Sequence, residues 1–73
     1  MPYNYSALLG KITEVFGTQA KFSNAIGLSE HSVSQKLNGK IEWKQSEMEH
    51  ACKLIGANTS EIPKYFFTIK VQN

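Results

Sequence analysis

Apolar residues in this chain recur mostly at the i, i+3, i+4, i+7 spacing that is typical of amphipathic helices. This spacing predicts five helices, over about residues 4–16, 19–26, 30–37, 45–55 and 59–66. Glycine stands at or just after the end of each of the first four helices, where a residue without a Cβ tolerates the left-handed conformation. The pattern therefore predicts an all-α fold.

Each of the first four predicted helices has an apolar stripe that should face the core. The stripes comprise Leu8, Leu9, Ile12, Val15 and Phe16, then Phe22, Ala25 and Ile26, then Val33 and Leu37, and finally Met48, Ala51, Cys52 and Ile55. Trp43 precedes the fourth helix in a loop. Two interpretations of this tryptophan remain open, because it could close the core over that helix or anchor a partner.

The pattern changes at the C-terminus from helical to alternating. Phe67, Ile69 and Val71 alternate with polar residues, which predicts a short extended or β tail over about residues 67–73. The tyrosines at positions 3 and 5 alternate in the same way. The tail could pair with a second copy to form a homodimer, or it could pack against its own N-terminal segment.

The stretch from Gln19 to Asn38, QAKFSNAIGLSEHSVSQKLN, predicts a helix-turn-helix over about residues 18–38. Gly27 stands where the chain must turn sharply, and the Ser29 hydroxyl can cap the second helix. Opposite the apolar stripe, this second helix carries polar side chains, namely His31, Gln35 and Asn38. Such a face can read base edges in a major groove, although plain helical bundles contain similar patterns.

Composition narrows the classes of function. The 73 residues carry a net charge of +2 from eight lysines and six glutamates, with no arginine, a balance that permits nucleic-acid binding without requiring it. The lone Cys52 and the lack of a signal peptide or membrane-length apolar run predict a single cytoplasmic domain over residues 1–73 that contacts no membrane. His50 and Cys52 make a weak metal signal, and no catalytic set is evident, so neither a cofactor nor an enzyme is expected.

Residues 18–40, TQAKFSNAIGLSEHSVSQKLNGK, resemble the DNA-binding segment of lambda-type phage repressors and Cro proteins. The ends, YNYSALLGKI and IPKYFF, resemble small regulators from phages of Gram-positive bacteria. This resemblance implies a five-helix lambda-repressor-like domain. Some members of this class are Cro-like repressors, and others, the modulators of repression, bind the phage repressor and inactivate it.

The resemblance also implies roles for individual residues. Gln19 would contact phosphate, and Ser32, Asn38 and Lys40 would contact the DNA backbone. Base-facing positions would be Ser29, Glu30, His31, Ser34 and Gln35. Lys36 stands where many members have an aliphatic residue, and its spacing from Lys40 and Lys44 suggests a phosphate contact or a solvated surface. Glu30 could accept a hydrogen bond from cytosine, but its charge would repel phosphate.

Two mechanisms follow for a regulator of a phage lysis–lysogeny switch. In the leading one, a dimer places residues 29–35 of each subunit in the major grooves of palindromic double-stranded operator DNA. In the alternative, the same face docks on the DNA-binding domain of the phage repressor and blocks operator binding. The low net charge and Glu30 suit this alternative. An antitoxin or autoregulator is a third possibility.

Overall fold

The structure is a computed structural model, and it describes residues 3–70. Over this range the chain forms five α-helices and one short 3₁₀ turn. The helices are α1 (Ser6–Phe16), α2 (Gln19–Ile26), α3 (Glu30–Leu37), α4 (Gln45–Leu54) and α5 (Ile62–Phe66), and the 3₁₀ turn, Thr59–Glu61, leads into α5. The described part of the chain is thus all-helical, as its apolar spacing predicts.

Side-chain caps fix where several of these helices begin. Thr18 Oγ1 accepts a hydrogen bond from the Lys21 backbone N–H at 3.2 Å, and α2 starts at the next residue after Thr18. The Asn4 side chain accepts from the Ser6 backbone N–H at 2.8 Å at the start of α1. These bonds satisfy N–H groups that have no partner within the helix, so residues next to each helix start help to fix where it begins.

The core lies between α2 and the helices packed around it. α2 contacts α1, α3 and α4, and α5 closes the other side against α1 and α4. The buried apolar residues are Leu8, Ile12, Phe22, Ile26, Val33, Trp43, Ala51, Cys52, Ile55, Tyr65 and Phe66. Trp43 is therefore part of the core, which is one of the two interpretations its sequence position allowed.

Three residues assigned to apolar stripes are exposed instead. Leu9 and Val15 lie at the edges of the α1 stripe, which buries only Leu8 and Ile12 fully and Phe16 in part. Ala25 on α2 is also exposed, and Ser23 takes the buried position. Ser23 can be buried because its hydroxyl donates to the Ala20 carbonyl oxygen at 2.8 Å, which satisfies the polar group locally.

The two ends of the described chain lie beside each other. The Asn4 backbone N–H donates to the Thr68 carbonyl oxygen at 2.7 Å, and Tyr3 and Ile69 form an isolated antiparallel bridge. Ile69 remains 47% exposed. The rest of the predicted tail, including Val71, lies outside the described residues. None of the helices in residues 3–70 is long and apolar enough to cross a membrane.

Candidate interaction site

A tight turn joins α2 to α3. Gly27 adopts the left-handed conformation with φ +80°, and the backbone N–H groups of Gly27 and Leu28 both donate to the Ser23 carbonyl oxygen at 3.0 Å. A Cβ at Gly27 would meet no other atom, so the requirement for glycine comes from the backbone conformation alone. Leu28 is half-buried against the core, and it holds the start of α3 against α2.

The polar residues of α3 form a surface that we call the outer face, made of Glu30, His31, Ser34, Gln35 and Asn38. Glu30, His31 and Asn38 are exposed, and Ser34 and Gln35 are partly exposed. Gln35 Nε2 lies 3.3 Å from His31 Nε2, and Asn38 Nδ2 donates to Ser34 Oγ at 3.4 Å. Both contacts join residues four apart on the helix surface, so the outer face presents two short rows of polar groups to solvent.

At the N-terminus of α3, two serines form hydrogen bonds that cap the helix. Ser29 Oγ accepts from the Ser32 backbone N–H at 3.1 Å and donates to Ser32 Oγ at 3.0 Å. The Ser29 hydroxyl is therefore occupied as the N-cap of α3, and any contact with a target would compete with that role. Glu30 follows in the first turn, where the helix dipole favours its negative charge.

Gln19 and Lys40, the remaining residues that the sequence assigns to the interface, are exposed at the start of α2 and in the loop after α3. The Lys40 backbone N–H donates to the Gln35 carbonyl oxygen at 2.9 Å, which ties this loop to the last turn of α3. Both side chains are therefore accessible to a partner.

Lys36 does not lie on this surface, and the expectation that it is a solvated lysine is wrong. It is only 5% exposed, and its Nζ lies 2.9 Å from Glu47 Oε1 and donates to the Glu42 carbonyl oxygen at 3.1 Å. The same Nζ lies 5.9 Å from the centre of the Trp43 ring. Lys36 can be buried because its charge is paired with the largely buried Glu47 carboxylate and its ammonium group donates to a backbone carbonyl.

Glu47 is the residue on which this buried cluster depends, and sequence reasoning did not identify it. Its Oε1 also accepts from the Lys44 backbone N–H at 2.8 Å, so one carboxylate both caps α4 and neutralises Lys36. Burial would raise the pKa of Glu47, but the hydrogen bonds from Lys44 and Lys36 and the Lys36 charge hold it below its ordinary value. A glutamate at the third position of a helix was the available sequence signal for the cap.

A second feature beside the outer face is a pocket of about 420 Å³ that we call the aromatic pocket. Five rings line it and contact one another in series, in the order Phe67, Tyr3, Tyr5, Trp43 and Phe66. The distances between successive ring centres lie between 5.1 and 6.5 Å. Gly39, Ile41, Glu42 and Met48 complete the lining. The pocket lining therefore includes Gly39, the residue that follows Asn38 of the outer face in the chain.

The described residues include no group of three or more His, Cys, Asp or Glu side chains that could hold a metal ion. Cys52 is buried in the core, and burial, together with the Glu61 charge, raises the pKa of its thiol. The thiolate form that binds metals is thereby disfavoured.

Comparison with known proteins finds a family match and a similar solved structure. The sequence profile of a family described as "Protein of unknown function (DUF739)" matches residues 1–69. The chain is also similar to the modulator of repression (MOR) of the temperate bacteriophage TP901-1 from Lactococcus lactis, whose solution structure is known. The identity is 54%, the match covers 99% of this chain and 97% of the other, and the TM-score is 0.80. No curated protein matches.

Proposed function

This chain belongs to the DUF739 family, and from its similarity to a modulator of repression we propose that it regulates a phage lysis–lysogeny switch by binding the repressor protein. The observation that carries the proposal is the 54% identity to the TP901-1 modulator of repression over 99% of this chain. The coverage of the other protein is 97%, so the two proteins correspond over nearly their whole lengths.

We place the contact with the repressor on the outer face of α3, flanked by Gln19 and Lys40. A repressor that binds operator DNA must offer lysines or arginines to the phosphates. On the outer face, Glu30 supplies a carboxylate, and its neighbours supply an imidazole, amides and a hydroxyl that can donate or accept. Docked there, this protein would cover the surface that the repressor uses for DNA, and the two would compete.

Direct reading of operator DNA becomes the second candidate, supported by the polar outer face itself. Three properties weigh against it as the main function. The chain has no arginine, Glu30 would approach the phosphates, and the burial of Lys36 removes one of the expected phosphate contacts. The remaining lysines near the outer face can give only a modest electrostatic attraction to DNA.

A gel-shift experiment separates the two candidates. Operator DNA from the switch region of the same phage is incubated with the cognate repressor, with this protein, and with both. Our proposal expects this protein alone to leave the DNA unshifted and, when added to the repressor, to release the DNA. A shift by this protein alone that persists at moderate salt would contradict it and favour operator binding.

A charge substitution then tests the face. Glu30→Gln should slow association with the repressor and weaken the complex, because a complementary charge is lost. Glu49→Gln is a matched control, since Glu49 is exposed on α4 outside the α2–α3 pair. Equal loss of affinity in both variants would show that net charge matters and that the outer face of α3 does not.

A further inference from the structure

The five rings of the aromatic pocket are arranged as a cup rather than as a flat stack. Successive ring planes are inclined by 48° to 78°, with Tyr3–Tyr5 at the lower and Tyr3–Phe67 at the upper value. Trp43 and Phe66 are 6% and 1% exposed and form the floor, whereas Phe67 is 45% exposed at the rim. Such a cup brings several ring faces and edges to one small volume that is open to solvent on one side.

Glu42 is the one charged residue among the described residues that line this pocket. Its side chain is exposed, and within residues 3–70 no lysine or histidine nitrogen lies within ion-pair distance of its carboxylate. Burial, then Tyr3, then the Glu42 charge raise the pKa of Tyr5. The pocket therefore combines aromatic rings with a carboxylate that forms no ion pair within residues 3–70.

We infer that the aromatic pocket receives one cationic side chain, an arginine or a lysine, from the DNA-binding surface of the repressor. This inference rests on the proposed function and names a chemical feature of the partner. Aromatic faces attract cations, and cups of aromatic rings recognise cationic groups in many proteins. The aliphatic part of the incoming side chain would pack on Ile41 and Met48, and its charged end would approach Glu42.

The position of the pocket fits a partner that already covers the outer face of α3. Gly39 lines the pocket and directly follows Asn38, the last residue of the outer face. A basic surface docked near Asn38, at the C-terminal end of the outer face, can thus reach the pocket lining at Gly39. The exposed Lys40 and Lys44 lie on either side of Glu42 in the same loop, and their charges would oppose an incoming cation. The charge of Lys36 is neutralised by Glu47.

The first experiment needs no repressor. The full-length protein, labelled with ¹⁵N, is titrated with arginine methylamide, with citrulline methylamide, its uncharged isostere, and with norleucine methylamide. Arginine methylamide should shift the Trp43 indole N–H and the Phe67 amide in a saturable way, and the two neutral probes should bind at least severalfold more weakly. If norleucine methylamide binds as well as arginine methylamide, the pocket is a plain apolar site and the inference is overturned. Lack of response to all three would also overturn it.

Two variants sharpen this result. Glu42→Gln should weaken binding of arginine methylamide and leave norleucine methylamide unaffected, with Glu49→Gln as the control. Phe67→Leu keeps apolar area but removes an exposed ring, so it should reduce the preference for the cationic probe. Each loss should be roughly two- to fivefold, the effect expected for one exposed cation–π contact at Phe67 and for one exposed charge pair at Glu42. The same spectra show whether the variants remain folded.

The second experiment uses the cognate repressor and separates the two proposals. Glu42→Gln should weaken the complex roughly two- to fivefold, because it removes one exposed charge pair. If the repressor binds the parent protein but Glu42→Gln and Phe67→Leu bind it equally tightly, the outer face is the interface and the pocket inference is wrong. If the repressor does not bind at all, the proposed function fails, whatever the small probes show.

Discussion

On the outer side of α3, His31 and Gln35 are open to solvent and contact each other at 3.3 Å, whereas on the inner side of the same helix Lys36 is buried against Glu47 at 2.9 Å. Both sides therefore carry polar residues of similar kinds. The outer residues have no contact that the fold requires, and the inner lysine links α3 to the loop and to α4 through Glu42 and Glu47. Polarity alone does not show which side of a small helix faces a partner.

The contacts on the two sides of α3 should differ in how much they contribute to the free energy of unfolding. A contact between exposed side chains four apart on a helix contributes about 0.2–0.5 kcal/mol, because water competes for both groups. A buried ion pair adds little net stability over an apolar pair, yet removing one partner is costly, since a buried charge is left without its counterion. Substitutions on the two sides of α3 should therefore separate by stability first and by partner binding second.

Breaking the inner side at Lys36 should have the largest effect. Lys36→Met leaves the largely buried Glu47 without its counterion and should lower the free energy of unfolding by about 3–5 kcal/mol. Chemical denaturation followed by Trp43 fluorescence measures this. Lys36→Met combined with Glu47→Gln should recover part of the loss, and Lys21→Met, at an exposed lysine, should change little. A single variant as stable as the parent would show that the pair contributes nothing to the fold.

Val33 tests the apolar part of the inner side. Val33→Ala removes two methyl groups from a fully buried position and should cost about 1–3 kcal/mol. Val15→Ala is a matched control, because Val15 is 45% exposed on α1, and its change should stay within about 0.5 kcal/mol. Thermal melts of the two variants give the comparison, and equal shifts would contradict the packing of α3 described above.

Lowering the pH should weaken the ion pair between Lys36 and Glu47 on the inner side of α3. The pKa of Glu47 lies below its ordinary value in the folded protein, so its contribution to stability is present above the unfolded pKa of about 4.3. That contribution is lost as the pH falls through the lower, folded pKa. The stability difference between the parent and Glu47→Gln should therefore shrink below about pH 4. Denaturation at several pH values measures it, and a difference that does not vary with pH would contradict the assignment.

Substitutions on the outer face should have the smallest effect on stability. His31→Ala and Gln35→Ala should each change the free energy of unfolding by no more than about 0.5 kcal/mol, because their contact is exposed to water. Both should nevertheless weaken binding to the repressor. Melting curves combined with a binding titration provide the two measurements. Normal binding by both variants would remove these residues from the proposed interface.

Local signals made much of the helical part of the fold predictable. The predicted ranges of α2 and α3 agree with the structure at both ends, because Thr18 and Ser29 cap them and glycines follow them. The burial of Val33 was also predictable from its spacing on the helix. These features depend on interactions between residues only a few positions apart, which a sequence pattern records directly.

Two features that the sequence pattern did not predict, the burial of Lys36 and the aromatic pocket, depend on contacts between distant parts of the chain. From the sequence alone Lys36 is expected at the surface. In the fold, Glu47 on another helix is its counterion. The aromatic pocket needs Tyr3 from one end of the chain and Phe67 from the other. The alternating pattern left open whether the tail packs on the N-terminal segment or on a second copy, so it did not decide that these rings meet. The members of the candidate interface other than Lys36 keep the roles that the resemblance implied as predictions, because exposure permits a contact without establishing it.

The pairing of the two chain ends has a consequence for the order of folding. The hydrogen bond between Asn4 and Thr68 encloses almost the whole described chain, so closing it carries a large loop-closure entropy until the helices between are formed. We expect this contact to form last and to open first during folding and unfolding. The Asn4 amide should then exchange with deuterium from solvent well before the amide of Ile12, and the rim of the aromatic pocket at Tyr3 and Phe67 would open without unfolding the helices beneath it.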